Sequence, residues 1–133
     1  MLSRLERYYP VSLNFLPTCI LLTVILFDIA HFKSLPPQIP VHFGLNGEAD
    51  GFAAKTYLSL FTLPLMGILV CGGLTMLNVF LIMKPENPAS VMNITGQARL
   101  KLGMEGMEEL RTYMARALCS VNIIIALMLS YLS

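Results

Sequence analysis

Charged residues are scarce in this sequence: they make up 13% of its 133 residues, whereas hydrophobic residues make up 56%. A soluble domain usually contains about 25% charged residues. The apolar residues here are gathered into long blocks instead of being spread as amphipathic stripes. The composition therefore argues against an ordinary soluble domain and favours a chain that faces lipid. Because the net charge is only +1, we expect no nucleic-acid partner.

Motifs of catalysis and cofactor binding are missing as well. The sequence has no glycine-rich phosphate loop, Ser-His-Asp set, HExxH or CxxC, and no histidine within its long apolar blocks. We therefore expect a protein that is not an enzyme and binds no cofactor, haem included. The few cysteines all lie in apolar blocks, which predicts packing residues and not a disulfide framework. They are Cys19, Cys71 and Cys119.

Three long apolar blocks predict three transmembrane helices in a single membrane domain, residues 1–133. The helices are expected at about 11–30, 57–83 and 114–132. Twenty helical residues span about 30 Å, the thickness of the hydrocarbon core. The first block contains one charge, Asp28 near its end, and the second contains none. We predict an all-α membrane protein with a structured outer loop, residues 31–56, between its first two helices.

Small and polar residues within the second and third blocks indicate helix–helix contacts. Small side chains let helix backbones approach closely in a membrane, and polar side chains hydrogen-bond across such contacts. In the third block these residues recur at helical spacing, and we expect Asn122 to bond to a neighbouring helix. The predicted packing residues are Gly67, Gly72, Gly73, Cys119, Asn122, Ala126 and Ser130.

The distribution of lysine and arginine predicts an orientation. Seven of these residues lie in the N-terminal tail and the segment 84–116, against two, Lys33 and Lys55, in the loop 31–56. The positive-inside rule places the richer side in the cytoplasm. We therefore predict a multi-pass protein of the cell (cytoplasmic) membrane, with the N-terminus in the cytoplasm and the loop 31–56 and the C-terminus outside.

The segment 84–113 predicts a cytoplasmic loop and an amphipathic helix that leads into the third transmembrane helix. Thr95 is positioned as the N-cap of a helix over Gln97–Arg116. Three interpretations of this helix are open: a helix lying on the membrane surface, a straight extension of the third helix, or a methionine-rich docking surface for a partner protein. Its apolar face consists of Leu100, Met104, Met107, Leu110 and Met114.

The loop 31–56 is the stretch richest in proline, glycine and ionisable residues. Its prolines stiffen an extended lead-in, and apolar residues alternate from Ile39 to Phe43 as in a short strand. The pair Asn46-Gly47 is a strong turn signal. We expect a short hairpin or a compact loop packed on the helix ends.

The ionisable residues of this loop allow three alternatives. A divalent-metal site, such as one for zinc, would use His31, His42 and Asp50, although their spacing matches no known ligand pattern and we predict no metal. A pH-responsive ion-pair cluster is the second alternative. In the third, Asp50 and Lys55 pair or cap the turn, and His42 hydrogen-bonds to backbone carbonyls.

The string PxxIPVHFxxxGxxDGFxxK, from Pro36 to Lys55, is followed by a helix with an early proline, Pro64. Over the first helix, the loop and the second helix, the chain resembles a family of membrane domains of unknown function. That domain commonly forms the N-terminal part of SdpI-type immunity proteins, bacterial membrane proteins that protect a cell against a secreted peptide toxin. The full immunity proteins carry a further multi-helix domain, whereas this chain has one more helix.

The resemblance implies that the loop binds a ligand or partner. The positions that match the family's motif are Pro36, Ile39, Pro40, His42, Phe43, Gly47, Asp50 and Lys55. The candidate binding residues are Pro36, Pro40, His42, Phe43, Gly47, Glu48, Asp50 and Lys55.

Two functions are compatible with these features. The first is a non-enzymatic binding or immunity protein that acts on an extracellular peptide through its outer loop. The alternative is an accessory or structural subunit of a larger membrane complex, held to protein partners or to further copies of itself by its small-residue helix faces. The lipid bilayer is a partner in both.

Overall fold

The computed structural model describes residues 2–90 and 93–133, so positions 91 and 92 of the predicted segment 84–113 lie outside the described residues. The regular elements are α1 (Leu2–Leu5), α2 (Leu16–His31), β1 (Gln38–Phe43), β2 (Ala49–Ala54), α3 (Tyr57–Leu77) and α4 (Gly96–Leu132). Short 3-10 turns cover Val11–Phe15, Phe32–Ser34 and Pro88–Ser90, and a π-helical segment, Asn78–Met83, continues α3.

Three helical stretches are long and apolar enough to cross a membrane: Val11–Ser34, Tyr57–Met83 and Gly96–Leu132. In the most apolar part of each, only 17%, 22% and 22% of the residues are buried, so the other side chains are turned outward as lipid contact requires. The three predicted helices are thus confirmed, and they indicate a membrane protein. The possible hairpin within the loop 31–56 is also confirmed, as a two-stranded antiparallel sheet.

Local sequence explains where α2 and α3 begin. Pro17 lies in the first turn of α2, where a missing N–H removes no helical hydrogen bond. Thr56 caps α3: its Oγ1 accepts from the Ser59 N–H at 3.1 Å, and the Ser59 Oγ accepts from the Thr56 N–H at 3.0 Å. This reciprocal pair is a capping box, and it starts α3 directly after β2.

Helix α4 contains an interruption that the sequence pattern did not predict. Its N-cap is the predicted Thr95, whose Oγ1 accepts from the Ala98 N–H at 3.3 Å. Gly103 then adopts φ +63°, a conformation that breaks the helix and that a residue with a side chain rarely takes. The prediction of one regular amphipathic helix over Gln97–Arg116 is therefore wrong at Gly103. From residue 104 the helix runs to Leu132, so its amphipathic part extends straight into the third apolar block.

The three helices meet in the middle of the bundle around small and polar residues. Leu21, Cys71 and Ala126 are buried together there. Asn122 is 3% exposed, and its Nδ2 donates to the Cys71 carbonyl at 3.0 Å and to the Thr75 hydroxyl at 2.9 Å. The amide of α4 thus bonds to α3, because a buried amide in an apolar bundle needs partners.

The predicted packing glycines of α3 differ in what they face. A Cβ at Gly67 would lie 2.9 Å from Leu21 Cδ1 and 3.0 Å from Leu129 Cδ1, whereas one at Gly72 or Gly73 meets nothing within 4 Å. Since each helical residue turns by about 100°, the two glycines after the inward-facing Cys71 point away from α2 and α4. Gly72 and Gly73 therefore have open space beside them in this chain, and a packing role for them requires a helix from a partner.

The remaining predicted packing residues lie on α4. Cys119 and Ala126 are buried, at 7% and 0% exposure. Ser130 is half-buried and its Oγ donates to the Leu127 carbonyl at 2.7 Å, within its own helix. Ser130 therefore makes no hydrogen bond across a helix contact among the residues that the structure describes.

At the end of the bundle opposite the hairpin, the described residues form a group that we call the polar cluster: the buried Tyr8, Tyr9, Asn78 and Arg111, and the partly exposed Glu108. Arg111 is 1% exposed; its Nη1 donates to the Pro85 carbonyl at 2.7 Å and its Nη2 to the Tyr8 hydroxyl. The Tyr8 hydroxyl in turn donates to the Glu108 carboxylate at 2.8 Å. A buried guanidinium requires such partners, and these connect α4 to the N-terminal segment and to the loop after α3.

Within the polar cluster, Asn78 begins the π-helical segment and connects Tyr9 to α4. Its Nδ2 donates to the Tyr9 hydroxyl at 3.0 Å and to the Ala115 carbonyl at 2.9 Å, while the Tyr9 hydroxyl donates to Asn14 at 2.8 Å. Burial of the phenol, with a smaller contribution from the nearby Cys119, raises the pKa of Tyr9 to about 12. Tyr9 therefore stays neutral at physiological pH and remains a hydrogen-bond donor.

Candidate functional site

The hairpin, Gln38–Ala54, connects α2 to α3 and contains the motif residues. Its turn is closed by two backbone hydrogen bonds: Gly44 N–H to the Glu48 carbonyl and Gly47 N–H to the Gly44 carbonyl, each 2.9 Å. Gly47 adopts φ +79°, which explains why the turn needs glycine after Asn46. The side chains of Asn46 and Glu48 bond to each other at 2.8 Å and hold the turn further.

The central feature of the hairpin is a histidine–aspartate pair. His42 Nδ1 lies 2.5 Å from Asp50 Oδ1, and the two side chains are 72% and 55% exposed. The partner of His42 across the sheet is Gly51, and the register slips between His42 and Phe43 so that Asp50 faces no residue on β1. An extra residue of this kind bends the strand and redirects its side chain, which lets Asp50 reach His42.

Gly51 provides the space for this pair. A Cβ at position 51 would lie 2.8 Å from the Cβ of His42, closer than two such atoms can approach. The glycine of the DGF string is thus needed because His42 stands directly across the sheet. Sequence reasoning took Gly51 only as support for the turn at Asn46-Gly47, since the cross-strand register is not visible in the sequence.

Replacement of Gly51 with alanine should separate His42 from Asp50. The new methyl group forces the strands apart at this point, and the hydrogen bond at 2.5 Å cannot be kept. We expect the side-chain NMR signals of His42 in the variant to match those of Asp50→Asn, in which the carboxylate is absent. Ala54→Ser, an exposed change on the same strand, is the control. Retention of the wild-type His42 signals in Gly51→Ala would contradict this assignment.

Lys55 anchors the base of the hairpin to the helix ends. Its Nζ donates to the Leu35 carbonyl at 2.8 Å and lies 5.4 Å from the centre of the Phe32 ring. Phe32 stacks on Tyr57 with ring centres 4.1 Å apart, joining the end of α2 to the start of α3. The alternative in which Lys55 pairs with Asp50 is therefore wrong, because backbone and aromatic partners hold the ammonium group at the opposite end of β2.

The other sequence-predicted residues are distributed over the hairpin. Phe43 and Pro40 are half-buried, whereas Glu48 is exposed in the turn. The alternative in which His42 bonds to backbone carbonyls is wrong, since its Nδ1 faces Asp50. A shallow groove runs along the base of the hairpin and is lined by Pro36, Pro37, Gln38, Phe52, Ala53 and Ala54.

His31 does not join His42 and Asp50. Its Nδ1 lies 2.9 Å from the Phe27 carbonyl, and its ring stacks on the Phe27 ring at 4.1 Å. Within residues 2–90 and 93–133, no three histidine, cysteine or carboxylate side chains are grouped as metal ligands. Among the described residues, His42 and Asp50 thus form a pair of polar side chains that His31 does not extend.

Exposed apolar side chains accompany the polar pair. Leu45 stands fully exposed at the tip of the turn, and Phe52 on β2 is 58% exposed beside the groove. Sequence reasoning gave neither a role, although a leucine between Gly44 and Asn46 is unusual for a solvent-facing turn. The hairpin thus exposes two apolar side chains together with the His42–Asp50 pair.

Comparison with known proteins agrees with the position of this site. Residues 19–68 match a domain of unknown function (DUF1648), which spans most of α2, the hairpin and the first half of α3. The sequence-based resemblance is therefore confirmed for this domain, and its link to immunity proteins stays a prediction. No curated protein and no solved structure gives a significant match to the chain.

Proposed function

We propose that the chain is a non-enzymatic integral membrane protein whose hairpin binds an extracellular peptide. In this proposal the N-terminus and the segment 84–116 face the cytoplasm, as their lysine and arginine content favours, and the hairpin and C-terminus lie outside. The observation that carries the proposal is the exposed His42–Asp50 pair, fixed in place by Gly51 on one side and by the Lys55 anchor below.

Three features of the hairpin favour an extended peptide as the ligand. The described residues place no third strand beside the sheet, so β2 has a free edge to which an extended chain can add by main-chain hydrogen bonds. Pro40 lacks an N–H, which makes β1 the poorer edge. Phe52 and Leu45 supply apolar contacts, and the His42–Asp50 pair supplies a polar one.

The resemblance to the N-terminal part of SdpI-type immunity proteins makes a secreted peptide toxin the proposed ligand. Binding at the hairpin would then shield the membrane or the toxin's target from outside. Catalysis is not part of the proposal, because among the described residues the only side-chain partner of His42 is Asp50 and no nucleophile contacts it.

Cell survival under a secreted peptide toxin tests this proposal. We expect His42→Ala and Asp50→Asn to lose protection while both variants still insert into the membrane at wild-type levels. Lys33→Ala, an exposed change outside the hairpin, should keep full protection. Unchanged protection in both hairpin variants would rule out the hairpin as the binding site.

A second function, an accessory subunit of a membrane complex, is favoured by the outward face of α3. The open sides of Gly72 and Gly73 allow another helix to approach, and an apolar groove beside them is lined by Gly73, Met76, Leu77, Phe80 and Leu81. Gentle detergent extraction and size analysis test this alternative. It predicts a complex that Gly73→Ile dissociates; a wild-type monomer without a co-purifying protein would contradict it.

A further inference from the structure

A second cavity lies between the hairpin end of α2 and the end of α4, apart from the His42–Asp50 pair. Its volume is about 320 Å³, which lies at the lower end of the range for small-molecule sites. Most of its wall is apolar. The lining residues are Thr23, Val24, Phe27, Asp28, Leu35, Ser130 and Ser133.

Asp28 gives this cavity its chemistry. Its side chain is 5% exposed, and its Oδ2 is fully buried without a hydrogen-bond partner among the residues that the structure describes. A buried carboxylate without a partner is costly, and an ionisable group within a membrane helix usually serves a function. Its nearest candidate for an internal partner, His31, uses Nδ1 at the Phe27 carbonyl, 2.9 Å away, and does not bond to Asp28.

The hydroxyl groups of the cavity face it as acceptors. The protons of Thr23, Ser130 and Ser133 are committed to the carbonyls of Cys19, Leu127 and Leu129, at 2.8, 2.7 and 2.9 Å. The free lone pairs of these three oxygens therefore join the Asp28 carboxylate in a set of acceptors. A ligand that satisfies this set must be a hydrogen-bond donor, and a positive charge on that ligand would balance the charge of the carboxylate.

The apolar wall decides between an inorganic cation and an organic one. Hard metal cations require about six or more oxygen ligands around them. Here the lining side chains offer at most five oxygens, two on Asp28 and one each on Thr23, Ser130 and Ser133, and the other lining residues are Val24, Phe27 and Leu35. An ammonium group needs only three acceptors for its three N–H donors, and the apolar wall suits the carbon chain attached to it.

We propose that this cavity binds a primary ammonium group carried on a short apolar chain, with the Asp28 carboxylate as its counter-ion. The site is separate from the proposed peptide-binding hairpin, so either assignment can fail without the other. The same chemistry is offered by a soluble alkylamine and by the ethanolamine headgroup of a lipid.

Calorimetric titration of the full chain in phosphatidylcholine nanodiscs tests the proposal, with hexylammonium as the probe and 1-hexanol as its neutral counterpart. We expect saturable binding of hexylammonium that is about tenfold or more tighter than any binding of hexanol, because only the ammonium group carries a charge opposite to that of the buried carboxylate. Equal binding of the two probes would overturn the proposal, and this comparison needs only the wild-type protein.

Two variants localise the binding to the cavity. Asp28→Asn keeps the shape of the side chain and should weaken hexylammonium binding by about tenfold or more. Glu105→Gln removes an exposed carboxylate from α4 outside the cavity and should change nothing. Unchanged binding in a folded Asp28→Asn variant would also overturn the proposal.

A competition experiment shows whether the ammonium group comes from a lipid headgroup or from a soluble amine. Nanodiscs that contain phosphatidylethanolamine should weaken hexylammonium binding to the wild type if the lipid headgroup occupies the cavity. Undiminished binding in those nanodiscs assigns the site to a soluble amine. Both results support an ammonium site, provided that hexanol fails to bind.

Discussion

Replacement of Arg111 with methionine should destabilise the folded chain by about 3–6 kcal/mol, since two hydrogen bonds are lost and each hydrogen bond of a charged group is worth about 1.5–3 kcal/mol. Methionine keeps much of the apolar stem but removes the guanidinium. The Pro85 carbonyl and the Tyr8 hydroxyl then each lose the hydrogen bond from Arg111, and the Tyr8 hydroxyl loses it at a buried position. These bonds help to hold the N-terminal segment to α4, so that segment should detach first.

Unfolding by sodium dodecyl sulfate in mixed micelles, followed by circular dichroism, measures this effect. Lys101→Met removes a positive charge from an exposed position on the same helix and serves as the control. We expect the midpoint of Arg111→Met to fall well below that of the control. Equal midpoints would show that the polar cluster contributes no stability.

Arg111→Lys tests whether the positive charge alone or the shape of the guanidinium group is needed for stability. Lysine keeps the positive charge, but its single ammonium group cannot reproduce the fork that donates to Pro85 and Tyr8 at once. We therefore expect the unfolding midpoint of Arg111→Lys to lie near that of Arg111→Met. A midpoint near the wild type would mean that charge alone is sufficient.

The helices and the hairpin were predictable because their signals are local. Long apolar runs predict the spans regardless of neighbours. The Asn46-Gly47 turn and the alternation from Ile39 to Phe43 predict strand and turn within a few residues. The capping residue Thr95 was likewise visible, because an N-cap is recognised from adjacent positions.

The pairings were not predictable, because they depend on contacts between distant parts of the chain. From the sequence, Arg111 was counted among the charged residues of the predicted cytoplasmic segment. In the structure it is buried and bonds to Tyr8, more than 100 positions away along the chain. One alternative from the sequence paired Asp50 with Lys55, but the strand register brings Asp50 to His42. The buried Oδ2 of Asp28, which has no hydrogen-bond partner among the described residues, could likewise not be predicted from the sequence, because it depends on how the helices pack.

The glycines of α3 allow a direct comparison between an inward and an outward position in one helix. Gly67 lies against Leu21 of α2 and Leu129 of α4, while Gly72 meets nothing within 4 Å. Gly67→Ile should destabilise the bundle by about 3 kcal/mol, because a branched side chain in a filled contact forces the helices apart. Gly67→Ala should cost less, since the two leucine ends can move by a few tenths of an ångström.

Gly72→Ile is the matched control, and it sharpens the choice between the two proposed functions. The side chain has open space within the monomer, and isoleucine also suits a helix better than glycine, so the free energy of unfolding should not fall. If this face of α3 packs against a partner, Gly72→Ile should instead abolish the complex in size analysis while the chain stays folded. A loss of folding as large as that of Gly67→Ile would contradict the outward orientation of Gly72.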